Sequence, residues 1–186
     1  MVMRRIPDWA KAGQSTWRYV GLKRPSFARA PRSGQQSVWD YPRPPRVEAE
    51  SRPVLVRLGP TIIAQSSRAW RVLETASPPT CYLPPEDVQS ALLSPSAGTS
   101  RCEWKGVAVY SDLILPGKRI ERAAWHYAEP FPGFEEIQGY YGFYPALLEC
   151  FLDGERVRPQ PGRFYGGWVT SDLAGPFKGE PGSEGW

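Results

Sequence analysis

Twenty-one prolines and eighteen glycines punctuate this chain of 186 residues. Proline fixes φ and removes a hydrogen-bond donor, and glycine costs backbone entropy, so both disfavour helix interiors. The punctuation therefore predicts a mainly β chain of short strands and tight turns. Its length suits one domain with its own core and some appended tail. Strand-like alternation sets in at Val54: Val54, Val56 and Leu58 face one way, Gly59-Pro60 turns, and Thr61 to Gln65 returns as a first hairpin. Ala69 to Glu74 and Thr80 to Leu83 continue the strand material, the latter between Pro78-Pro79 and Pro84-Pro85.

The second proline pair opens the one short helix the pattern predicts, Glu86 to Leu93, with acids in its first turn and Val88 and Leu92 on one face. Ser96 to Thr99 reads as a turn, and Arg101 to Tyr110 as one strand. On a period of two, that strand puts Cys102, Trp104, Ala108 and Tyr110 on one face and Glu103, Lys105, Val107 and Val109 on the other, unless a bulge near Gly106 intervenes. Leu113 to Leu115 and Ile120 to Tyr127 form a further hairpin about Pro116-Gly117. Ile137 to Tyr144 adds strand material, and Leu147 to Leu152 turns at Asp153-Gly154, the strongest hairpin signal present.

The charge is uneven. Residues 1–52 hold eleven Lys/Arg against four acids, whereas the remainder holds twelve against fifteen. These 52 residues show no sustained period and are cut by six prolines, so they read as a basic, Pro-rich N-terminal arm. Trp9, Trp17, Tyr19, Trp39 and Tyr41 distinguish the arm from ordinary disorder, which is poor in aromatics, and predict that parts of it lie against the domain or a partner subunit. The organisation expected is an arm over 1–52, a β domain over 53–158, and a Gly- and aromatic-rich tail over 159–186 that packs on the sheet.

No run of about 18 apolar residues occurs, and no apolar stretch follows the opening Met-Val-Met-Arg-Arg, so a soluble, cytoplasmic chain without membrane insertion is expected. Cys81, Cys102 and Cys150 are odd in number and widely spaced, which encodes neither a disulfide framework nor a zinc ribbon and suits a reducing compartment. His126 is the lone histidine, so a tetrahedral metal site would need it and all three thiols together; no metal is expected.

Four pieces, in order, carry a family resemblance: Pro79-Thr-Cys-Tyr-Leu-Pro-Pro-Glu-Asp-Val88, Cys102-Glu-Trp-Lys-Gly106, Ala124-Trp-His-Tyr127 and Gly142-Phe-Tyr-Pro145. From about Val54 to Val157 the chain resembles the family catalogued as domain of unknown function 427. That resemblance implies a compact antiparallel sheet domain of the Mss4-like, or β-tent, kind with extended arms. A nucleotidyltransferase-like label is sometimes attached to the family. Polymerase-type transfer needs clustered carboxylates for two metal ions and a Gly-Ser phosphate turn, whereas here Gly182-Ser183 falls in the last few residues with no paired Asp motif after it.

Several residues could carry chemistry. Cys102 lies between Arg101 and Lys105, cations that lower a thiol pKa, although a thiol beside Trp104 is commonly a small buried hydrophobe. A reductase would need Cys81 or Cys150 as resolving thiol. Lys105-Gly106 could hold an anion, and Glu86 and Asp87 could supply acid/base groups at a pocket rim, although first-turn acids need no such role. His126 reads as a surface or rim residue. Tyr82, Trp104, Tyr110, Trp125, Tyr127, Tyr141 and Tyr144 combine apolar faces with polar tips, as pocket walls do. The expected function is binding of a small polar ligand in an aromatic-lined concavity by Glu86, Asp87, Cys102, Trp104, Lys105, Tyr110, Trp125, Tyr127 and Tyr144, with neither turnover nor a cofactor assigned. The alternative is a non-catalytic interaction module. There the basic arm would bind a protein, a nucleic acid or a second copy of the chain, Lys/Arg interleaved with aromatics suiting phosphates and stacked bases.

Overall fold

The computed structural model describes residues 5–162 and 164–186; the opening Met1 to Arg4 lie outside them. The arm contains a short helix, α1 (Asp8–Gln14), and a two-residue strand, β1 (Gln36–Ser37). Then come β2 (Arg46–Glu50), β3 (Val54–Leu58), β4 (Thr61–Ser66), β5 (Ala69–Leu73) and β6 (Thr80–Leu83). The long strands β7 (Leu93–Cys102), β8 (Gly106–Leu115) and β9 (Lys118–His126) follow, then β10 (Tyr141–Phe143), β11 (Glu149–Leu152) and β12 (Glu155–Arg156). Short pieces β13 (Arg158–Pro159), β14 (Trp168–Val169) and β15 (Leu173–Ala174) complete the chain. A mainly β fold with one short α-helix is what the composition predicts. The helix, however, is at α1: Glu86 to Leu93 forms instead two 3-10 turns, Pro85–Asp87 and Ser90–Leu92. Leu93 already pairs with Leu113 in β8, which pulls this segment into the sheet before an α-helix can propagate.

Two antiparallel sheets make the body. The larger has the order β2-β5-β6-β10-β9-β8-β7, the smaller β12-β11-β3-β4. β2 falls within the stretch expected as arm, yet it pairs along its whole length with β5, Arg46 opposite Leu73 through Glu50 opposite Ala69. The main core joins the two sheets: Val54, Val56 and Ile63 from the smaller meet Cys81, Leu83, Leu113 and Phe143 from the larger, all at most 1% exposed. Alternation then sends Tyr82, Tyr110, Trp125 and Tyr127 to the opposite face of the larger sheet, where they form a second, aromatic cluster.

Two expectations in this sheet change. Ser96 to Thr99 is not a turn but lies inside β7, where the β7/β8 register shifts between Pro95 and Thr99. The single strand expected from Arg101 to Tyr110 is a hairpin: Cys102 pairs with Gly106, Glu103, Trp104 and Lys105 form the loop, and Gly106 takes φ +105°. A three-residue loop closed by a glycine at positive φ is a common way to join antiparallel strands, and it dissolves the period-two argument across it.

The two ends of the chain tie to each other and to the body. β1 pairs in parallel with β15, and Trp39, fully buried, donates through Nε1 to Pro176 O at 3.2 Å. Trp168 reaches the main core and donates through its indole to Phe143 O at 3.1 Å. Buried Glu50 is held by Arg52, which also reaches Asp172 at 3.0 Å and so links β2 to the tail. Among the described residues, no helix is long and apolar enough to cross a membrane.

Candidate functional site

The aromatic cluster does not close on itself. It forms the floor of a cavity of about 210 Å³ on the outer face of the larger sheet. Trp125, on β9, is the centre of the floor. Its ring lies 4.4 Å from Tyr144 and 6.1 Å from Tyr82, centroid to centroid, and its Nε1 donates to Tyr82 Oη at 3.4 Å. Two glycines make room for that indole: a Cβ on Gly142 would lie 2.5 Å from Trp125 Cζ2, and one on Gly166 would lie 2.2 Å from Cη2. Backbone at these two places therefore lies flat on the ring, which is a physical reason for glycine within Gly142-Phe-Tyr-Pro145.

Polar tips converge on this floor. Tyr110 donates to Ser100 Oγ at 2.7 Å. Lys105 leaves the β7–β8 loop with Nζ 5.9 Å from the Tyr127 ring centroid, beside Cys102. Burial alone would push the Lys105 ammonium down, but its hydrogen bond to the Cys102 sulfur and its interaction with the Cys102, Tyr82 and Glu74 side chains hold it above the ordinary lysine range. Burial raises the phenols of Tyr82, Tyr127, Tyr144 and Tyr165, so these rings stay neutral and able to donate at physiological pH.

The roof comes from the two ends of the chain. Trp17, just beyond α1, donates through Nε1 to Glu103 Oε1 at 2.8 Å and is held between two cations: Arg43 Cζ at 4.2 Å and Lys178 Nζ at 3.3 Å from its ring centroid. Arg43, its side chain wholly buried, pairs with Glu74 at 3.0 Å and donates to Tyr19 O and Thr75 O. Lys178, 3% exposed, donates to Trp186 O at 3.2 Å. Burial, reinforced by Arg43 and opposed by Glu74 and Glu103, lowers the Lys178 pKa to about 8. Gln160 ties this roof down by donating to Lys178 O at 2.8 Å and accepting from Gly167 N–H at 3.1 Å.

Of the residues expected at a ligand site, Cys102, Lys105, Tyr110, Trp125, Tyr127 and Tyr144 line the cavity together. Trp104 is buried in the cluster behind them, its Nε1 without a partner among the described residues. Glu86 and Asp87 are elsewhere. Glu86 is exposed, and Asp87 accepts from Arg68 at 2.7 Å, which with Ser66 holds its carboxyl below the usual range. They occupy the 3-10 turn beside β4, outside the cavity lining. Lys105, placed by alternation on the face away from Cys102, joins it in the cavity because the loop breaks the alternation. His126 pairs opposite Val109 and packs near Tyr141 at 5.2 Å, away from the cavity; burial lowers its pKa. Cys81 and Cys150 belong to the inter-sheet core, where neither can reach Cys102 as a resolving thiol. Among the described residues, no group of three or more His, Cys, Asp or Glu is placed to hold a metal ion.

Sequence reasoning missed Glu74, Gln160, Tyr165 and Lys178, and it saw Trp17 only as an arm aromatic. One signal was present: the chain has five lysines against eighteen arginines, and two of the five line the cavity.

Fold and site together define an antiparallel two-sheet β protein with a tyrosine- and lysine-lined cavity on the outer face of its larger sheet. The chain belongs to the family described as Domain of unknown function (DUF427), whose profile matches residues 46–155. No curated protein matches it. The match covers the floor of the cavity, from Val72 to Tyr144, while Trp17, Gln160, Tyr165 and Lys178 lie outside it.

Proposed function

We propose that the outer-face cavity binds a small polar ligand, contacted by Cys102, Lys105, Tyr110, Trp125, Tyr127 and Tyr144, with Trp104 behind them. The observation that carries this reading is the joint presence, around about 210 Å³, of five tyrosines and two lysine side chains on a floor of indole and phenol faces. A sheet face that served only as core would be covered by aliphatic side chains, and polar-tipped rings around open volume are what pockets use. We further read the fold as of the Mss4-like, or β-tent, kind, and the three free thiols as suited to the cytoplasm.

The alternative, an interaction module acting through the arm, has weaker support. Trp17, Trp39 and Tyr41 pack within the chain, and Arg24, Arg43 and Arg52 pair with Asp40, Glu74 and Glu50. Residues 5–45 and the described part of the tail after 158 are better read as a strap that roofs the cavity than as a separate binding arm.

The test is a thermal-shift screen of the purified protein against metabolites and nucleotides, repeated with Trp125→Ala and Lys105→Ala. A ligand that binds only the native state raises the melting temperature by mass action. A hit abolished in both variants supports the cavity; a hit unaffected by either, or no hit beside a partner captured through residues 1–45, would sink it.

A further inference from the structure

The hydrogen-bonding balance of the cavity is lopsided. Its donors are the ammoniums of Lys105 and Lys178, the phenols and indoles of the floor, of which Tyr110 already donates to Ser100, and the exposed Arg101 guanidinium. The Tyr82 oxygen accepts from Trp125 Nε1, which leaves its own hydrogen to donate elsewhere. The carboxylates in the lining are Glu74 and Glu103, and each already has a donor: Arg43 on the first, the Trp17 indole on the second. Lys178 has Trp186 O as acceptor and the Trp17 ring beneath it. Lys105 has the Cys102 sulfur and the Tyr127 ring, and among the described residues it forms no ion pair with a carboxylate. Placing an ammonium out of water is costly unless an anion compensates it, so this arrangement favours a ligand that arrives with negative charge.

Size and shape narrow the class. Sites for drug-sized ligands enclose roughly 300–1,000 Å³, and this cavity holds about 210 Å³. Its walls are ring faces, with Trp125 tilted 47° to Tyr144 and Tyr82 tilted 49° to Tyr127. Such walls suit one flat ring. Phosphate groups are usually met by the Arg fork or by consecutive backbone N–H groups; Arg101, the guanidinium in the lining, is exposed and stacks over Trp9 at 5.5 Å, and the cations that face the aromatic floor are the ammoniums of Lys105 and Lys178. Resting on the pocket reading above, we infer that the ligand is a planar one-ring carboxylate, its anion received by Lys105 and its ring laid against Trp125 and Tyr127. Lys178 adds positive potential from the roof, which draws an anion inward.

Isothermal titration calorimetry of the full chain with benzoate and its neutral isostere benzamide tests this. Benzoate should bind at least about tenfold more tightly than benzamide, the size expected of a charge-assisted contact, and Lys105→Met should erase that preference. Equal affinity for the two probes, a preference that survives Lys105→Met, or no binding of either overturns the inference. Should Lys105→Met fail to fold, protection of Lys105 from amine acylation by benzoate, read by mass spectrometry on the wild type, decides instead: protection supports the assignment and its absence overturns it. The screen described above separates the two levels. A neutral or cationic hit that depends on Trp125 removes the anion class and leaves the pocket, whereas no hit of any kind removes both.

Discussion

Along β6, Cys81 and Leu83 enter the core beneath the smaller sheet, whereas Tyr82 between them points to the cavity on the other side. The same division runs through β8 and β9, with Leu113, Ala123 and Ala124 against the smaller sheet and Tyr110, Trp125 and Tyr127 against the roof. The inner face is apolar and closed, aliphatic side chains packing there with Phe143, Trp168 and two thiols. The outer face has phenols, a thiol and ammoniums around open volume. One sheet thus supplies both stability and chemistry, and the two can be perturbed separately because strand alternation keeps their side chains apart.

The largest effect should come from the inner face. Phe143→Ala, at a side chain with no exposed surface, should cost about 3–5 kcal/mol in urea denaturation, the range for a buried aromatic truncated in a packed core. A loss below about 1 kcal/mol would mean that the two faces do not differ as described.

The thiols give the next contrast. Burial pushes the Cys81 thiol up to about 12 and the Cys150 thiol higher still, whereas Cys102 lines the cavity. In the native state at pH 8, iodoacetamide should modify Cys102 at least about a hundredfold faster than either core thiol, since thiolate and access both govern the rate. Peptide mass spectrometry reads this directly, and comparable rates would contradict the placement.

Gly142→Ala tests the contact between floor and strand. A methyl group here meets the Trp125 ring, and the ring must move, at about 1–3 kcal/mol for overpacking. Trp125 fluorescence should shift with it, and any cavity ligand should lose affinity. An unchanged emission spectrum would show that the indole is not pinned.

The smallest effect concerns pH. The Lys178 pKa is lowered to about 8, so its ammonium is lost as pH rises through that value. An anionic ligand bound beneath it should weaken by about threefold between pH 7 and pH 9, as expected for the loss of one nearby but non-contacting charge. The other groups facing Lys178 are Arg43, Glu74, Glu103 and Tyr165. Burial holds the Tyr165 phenol neutral over this interval. Benzoate affinity that rises with pH would reverse the sign and exclude Lys178 as a contributor.

Much of the floor was legible because it depends on local rules. Polar-tipped rings singled out Tyr110, Trp125 and Tyr127 as one set, and Asp153-Gly154 announced the β11–β12 hairpin, where Asp153 and Gly154 take φ of 49° and 78°. Legibility failed where a tertiary contact overrode a local preference. Pro84-Pro85 and the acids after it resemble a helix start, but strand pairing at Leu93 leaves only 3-10 turns. Cys102 to Gly106 has the apolar spacing of a strand and becomes a loop because β7 and β8 need a short connection there.

By itself the sequence determined the class of fold, part of the strand set, including β3, β4 and β6, and the aromatic character of the face that became the floor. Period-two alternation and Pro/Gly punctuation are local properties that survive in any arrangement of those strands. Only the tertiary structure decided that Trp17 and Lys178, 161 positions apart, meet as a roof with Nζ 3.3 Å above the ring. It also decided that Glu86 and Asp87 stand outside the site, and that Lys105 enters it. Contacts of such sequence separation are selected by packing and charge compensation among whole elements, and no spacing along the chain records them.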